Sequence, residues 1–80
     1  MIIQVGLPVR VETWSGSLVK GTITDINISV DKNDPAGELG VSTEELDLEL
    51  NYQGSIGYQT DTGNNHWAYF HQVKEVPNVW

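Results

Sequence analysis

Apolar and polar residues alternate with a period of two along most of this chain. Val9, Val11 and Thr13 alternate with Arg10, Glu12 and Trp14, which predicts a half-buried strand over residues 5–14. Pro8 has no N–H to donate, so it suits the start or an edge of that strand. Ser15-Gly16-Ser17 reads as a turn. Residues 18–30 form a longer strand with a change of phase. Val19 and Ile23 sit at odd positions, whereas Ile26, Ile28 and Val30 sit at even ones. A slip of one residue moves side chains to the other face, so a bulge or bend is expected near Thr24-Asp25, where Gly21 permits close backbone approach. The β-branched run of Thr22, Ile23, Thr24, Ile26 and Ile28 favours strand over helix.

Residues 31–40 are polar and carry Asn33-Asp34-Pro35 with Gly37 and Gly40, which predicts a loop. Ser42 and Glu45 have the spacing of a capping box, so a short helical turn is expected there. Leu46, Leu48, Leu50 and Tyr52 then alternate with Asp47, Glu49 and Asn51. This is the cleanest two-residue period in the chain and predicts a strand with an acidic outer face. After a turn at residues 53–55, Ile56, Tyr58 and Thr60 share one face of a strand. Asp61-Thr62-Gly63-Asn64-Asn65 makes a second tight turn. Residues 66–70 are the next strand and 73–76 a last short one ended by Pro77. The break at Phe70-His71-Gln72 suits one turn of 3₁₀ helix. Strand phase places Trp67 and Tyr69 on the face opposite His66, Ala68 and Phe70.

Short strands, one long loop and a late aromatic strand predict a single all-β domain over residues 1–80. The expected architecture is a small five-stranded SH3-like barrel with a long loop at 31–45, and an OB-fold is the alternative. Gly6-x-Pro8-Val9-Arg10-Val11, Gly21-Thr22-Ile23, Asn51-Tyr52-x-Gly54-x-x-Gly57, Asn64-Asn65 with Trp67-Ala68, and Glu75-Val76 resemble the ferredoxin-docking accessory protein family of photosystem I. That resemblance implies an SH3-like barrel and a role in docking ferredoxin. Ferredoxin is acidic and the family's docking surface is basic, so an acidic chain would repel it, and the docking role is not expected here. Gly6-x-x-Val9-Arg10 and a strand leading to a short closing strand are also similar to the type II plasmid dihydrofolate reductases. Their activity depends on a Val-Gln-Ile-Tyr run, and the matching His66-Trp67-Ala68-Tyr69 keeps only the Tyr.

Charge narrows the partners. Eleven acidic residues against four basic ones give a net charge of −7, which disfavours direct binding to nucleic-acid phosphate. Cys is absent, so disulfides and thiolate metal sites are excluded, and a cytoplasmic location is expected. No basic leader precedes an apolar run, and no run reaches the ~18–20 residues that span a bilayer, so neither signal peptide nor membrane span is expected.

The candidate chemistry is sparse. His66 and His71 point to opposite faces of a regular strand and would leave zinc under-coordinated. The stretch from Asp31 departs from a calcium loop at Pro35, Ala36 and Ser42. No nucleophile motif surrounds any Ser. No cofactor or metal is therefore expected. Glu44, Glu45, Asp47 and Glu49 form a candidate acidic face, with a solvated edge that resists aggregation as the simpler reading. The aromatics carry the positive signal, because a small barrel cannot enclose all of them. The leading expectation is a non-enzymatic, self-associating protein-interaction module with Trp14, Trp67, Tyr69 and Trp80 as contacts. The alternatives are an oligomeric ligand binder or enzyme with its site between subunits, and an acidic decoy of a nucleic-acid-binding protein.

Overall fold

A computed structural model describes residues 1–75 of the 80. Val76 and Trp80 therefore lie outside the described residues. The chain forms eight strands: β1 (Ile2–Gln4), β2 (Pro8–Glu12), β3 (Leu18–Ile28), β4 (Val41–Thr43), β5 (Glu45–Asp47), β6 (Gly54–Gln59), β7 (Asn65–Tyr69) and β8 (Val73–Glu75). Single 3₁₀ turns occupy Leu48–Leu50 and Phe70–Gln72. All pairings are antiparallel. The main sheet runs β7-β6-β3-β2-β8, with β4 added beside the far half of β3, and β1 and β5 make a separate two-stranded sheet. The domain is all-β and compatible with a small barrel of the SH3-like kind.

The alternating residues supply the core. Val9 and Val11 from β2, Ile23 and Ile26 from β3, Ile56 and Tyr58 from β6, and Ala68 from β7 are buried together with Ile3, Leu46, Phe70 and Val73. Each fully covered Ile or Val contributes about 1.5–3 kcal/mol of burial. The phase change in β3 is a bulge. Ile23 pairs with Tyr58 and Asp25 with Gly57, so Thr24 is the extra residue, and both Ile23 and Ile26 reach the core. Gly21 lies inside, under the ring of Tyr58; a Cβ there would stand 2.5 Å from Tyr58 Cδ2. The β2–β3 turn closes through Thr13 N–H to Ser17 O, and the β6–β7 turn through Thr60 N–H to Asn64 O. The 3₁₀ turn at Phe70–Gln72 lies where the sequence places it, and β8 then returns to pair with β2.

Two expectations fail between β3 and β6. Ser42 starts no helical turn; residues 41–43 pair with Ile26–Ile28 as β4. The alternating run 46–52 is a strand only as far as Asp47. β1 offers it three residues to pair with, Ile2↔Asp47, Ile3↔Leu46 and Gln4↔Glu45, and beyond them no edge remains. Asp47 then accepts the Glu49 N–H at 3.0 Å, and Asn51, at φ 58, donates back to Leu48 O. Leu46 is buried and Leu48 packs against the core, but Leu50 is 61% and Tyr52 51% exposed.

Candidate binding surface

The outward face of β7 follows from its alternation. Ala68 is buried, so Trp67 and Tyr69 point away from the core, and Trp67 remains 57% exposed. Trp14, in the β2–β3 turn, is 77% exposed. It reaches Tyr69 edge-on with ring centroids 6.2 Å apart, and Tyr69 meets Trp67 edge-on at 5.1 Å. His71 stacks on Tyr69 at 5.6 Å with the rings 11° from parallel. Trp14, Tyr69, Trp67 and His71 thus form one outward aromatic ridge drawn from three segments.

One buried side chain brings those segments together. Gln72 accepts the Tyr69 N–H on Oε1 at 2.9 Å and donates from Nε2 to Glu12 O at 3.0 Å. It thereby ties the end of β7 to the end of β2, two residues before Trp14. Both groups of this carboxamide are satisfied, as a buried amide requires. The residue pattern does not single out Gln72, because a lone Gln after an aromatic strand carries no periodic signal; its place in the expected 3₁₀ turn is the available hint.

Open grooves flank the ridge. Tyr69 and His71 border one of about 450 Å³, whose other sides come from Leu48, Tyr52, Phe70 and Val73. Trp67 borders another of about 590 Å³ across the outer face of β3, β6 and β7. The loop after β3 forms the far side of this second groove. Ser55 Oγ donates to Ala36 O, and Ser42 Oγ lies 3.1 Å from Asn27 Oδ1. The loop's own carboxylates are engaged by its backbone. Asp34 accepts the N–H groups of Glu38 and Leu39, and Asp31 accepts that of Asn33. These bonds explain the acidic loop without a cation.

The four carboxylates of the candidate acidic face do not share one strand. Glu45 and Asp47 lie on either side of inward Leu46, Glu44 lies in the link between β4 and β5, and Glu49 is in the 3₁₀ turn. Glu44 O accepts the Val5 N–H, and the terminal ammonium stands 3.7 Å from Asp47 and 3.5 Å from Glu49. Such exposed pairs contribute little to stability. His66 and His71 lie against different rings, His66 with Tyr58 at 5.7 Å and His71 with Tyr69. Burial pushes the Tyr58 phenol above its ordinary pKa. Among the described residues, no group of three or more His, Asp or Glu side chains is placed to hold a metal ion, and no helix is long and apolar enough to cross a membrane. Trp80 lies outside the described residues.

Compared with known proteins, the chain matches no family model, no curated protein and no solved structure.

Proposed function

We propose that this domain is a non-enzymatic SH3-like interaction module that self-associates or docks a protein partner through the aromatic ridge. The observation that carries this reading is the continuous contact of Trp14, Tyr69 and Trp67 on the outside of the fold, with both Trp rings more than half exposed. Three adjoining rings left in water forgo burial that a partner surface would supply, and aromatic anchors of this kind dominate interface energetics. Neither resemblance to a known family contributes to the reading. Acidic charge opposes ferredoxin docking, and the ridge residue Tyr69 is all that remains of the reductase motif.

The test is light scattering across a concentration series, with the wild type beside a Trp14→Ala/Trp67→Ala variant. Mass rising with concentration in the wild type and staying monomeric in a folded variant supports self-association. A strict monomer in both removes it. A second reading, a ligand site completed between copies, is favoured by the groove of about 450 Å³ beside Tyr69. It expects at least one hit when a panel of metabolites and cofactors is screened for a raised melting temperature.

A further inference from the structure

The groove beside Trp67 has a chemistry distinct from the ridge. Strand register sets Asp25, Gly57 and Trp67 side by side, since Asp25 pairs with Gly57 and Gly57 with Trp67. All three occupy outward positions, offset by one residue from the buried Ile26, Ile56 and Ala68. Gly57 has no positive φ, so its missing side chain serves space rather than backbone. A Cβ there would run into Asp25 Oδ1 and come within 2.9 Å of Thr24 Oγ1. The Asp25 carboxylate therefore lies over the glycine floor, towards the exposed indole.

That carboxylate is held in place. Thr24 Oγ1 donates to its Oδ1 at 3.1 Å and Asn27 Nδ2 to its Oδ2 at 2.7 Å. Each oxygen keeps a further acceptor position. The Thr24 bulge re-aims this part of β3, which is a common use of a bulge at a binding site. Glu38, from the loop wall, adds a second carboxylate, and no Lys or Arg borders the groove. Two carboxylates beside an exposed indole attract a cation, and a net charge of −7 steers one inward. A planar guanidinium fits best, because it can stack on the indole while forking hydrogen bonds to a carboxylate. The outer edge of β7, which borders the groove, has no ladder partner among the described residues and leaves room for an extended chain.

We propose that the groove formed by Asp25, Gly57, Glu38 and Trp67 binds an arginine side chain in an extended segment of a partner protein. This inference rests on the interaction-module reading and names the partner's chemistry.

The experiment titrates the full chain with a capped pentapeptide carrying two arginines, followed by amide and indole chemical shifts. The controls are the same peptide with citrulline in place of arginine, and a free oligosaccharide. The expected result is saturable shifts at Asp25, Gly57 and the Trp67 indole with the arginine peptide alone. Affinity should drop at least about fivefold between roughly 20 and 200 mM salt. Trp67→Ala should weaken binding by about threefold to thirtyfold, as loss of a cation–π contact would. Asp25→Asn should weaken it similarly. Because Asp25 also braces the bulge, the exposed Glu38→Gln provides a second variant with the same expected direction. Glu44→Gln/Glu45→Gln, remote from the groove, should leave binding within twofold (about 0.4 kcal/mol). Equal binding of the citrulline peptide or the oligosaccharide, equal loss in the remote variant, or no saturable shift at millimolar peptide would each overturn the proposal. Trp14→Ala separates it from the ridge reading. Lost self-association with retained peptide binding supports both, whereas retained self-association without peptide binding rejects the groove alone.

Discussion

Two rows of residues cross the same three strands one position apart. The inner row, Ile26, Ile56 and Ala68, is buried; the outer row is Asp25, Gly57 and Trp67. The inner row is apolar and closely covered, and no member could be made polar without stranding a group away from water. The outer row joins a carboxylate, an empty position and a large exposed ring, and none of them is demanded by packing. The backbone is shared, so the difference lies in what each face meets. The inner face meets the rest of the core and sets stability. The outer face meets solvent and is free to carry recognition.

The largest effect should come from breaking the inner row. Ile56→Ala removes side-chain volume from a site with no exposure and should cost about 2–5 kcal/mol. In a domain this small such a loss brings the chain close to unfolding, and urea denaturation would show it. A cost below about 1 kcal/mol would mean the row is not the core it looks like.

Gln72→Ala tests the link between the two faces. It strands the Tyr69 N–H and Glu12 O, and should cost about 1–3 kcal/mol in the same urea measurement. It should also separate Trp14 from Tyr69, seen as loss of the ring-current shift on Trp14. A stable variant with that shift intact would show that the turn holds Trp14 without Gln72.

A smaller effect belongs to Tyr58. Burial raises its folded pKa above the unfolded value near 10.0. The folded chain therefore keeps a proton that the unfolded chain releases, and stability falls as pH rises through about 10. Melting temperatures across the alkaline range should fall less steeply for Tyr58→Phe than for the wild type. Parallel curves would assign the alkaline loss to other groups.

The smallest effect on stability is expected in the outer row. Trp67→Ala should shift stability by no more than about 0.5 kcal/mol, because the ring is mostly exposed. Its binding loss, set beside that small change, is the sharpest form of the comparison. A cost near that of Ile56→Ala would place Trp67 with the core.

Much of this is legible in the residue pattern. Alternation locates β2, β3, β6 and β7, the opposed phases in residues 18–30 mark the bulge at Thr24, and the broken period after Tyr69 marks the 3₁₀ turn. It also turns Trp67 and Tyr69 outward. Those features belong to a single strand's backbone geometry, which the order of side chains records directly. The rest depends on partners. Residues 46–52 alternate as cleanly as any strand, yet stop at Asp47 because a ladder needs an opposing edge and β1 is three residues long. β1 and β4 are too short to show a period at all. Trp14 meets Tyr69 because Gln72 joins two distant segments, and the groove over Gly57 exists because three strands align with one another. The sequence by itself determined which way each side chain on a regular strand would face. Only the tertiary structure decided which strands would find an edge, and which outward residues would become neighbours, since both depend on contacts between segments that local order does not encode.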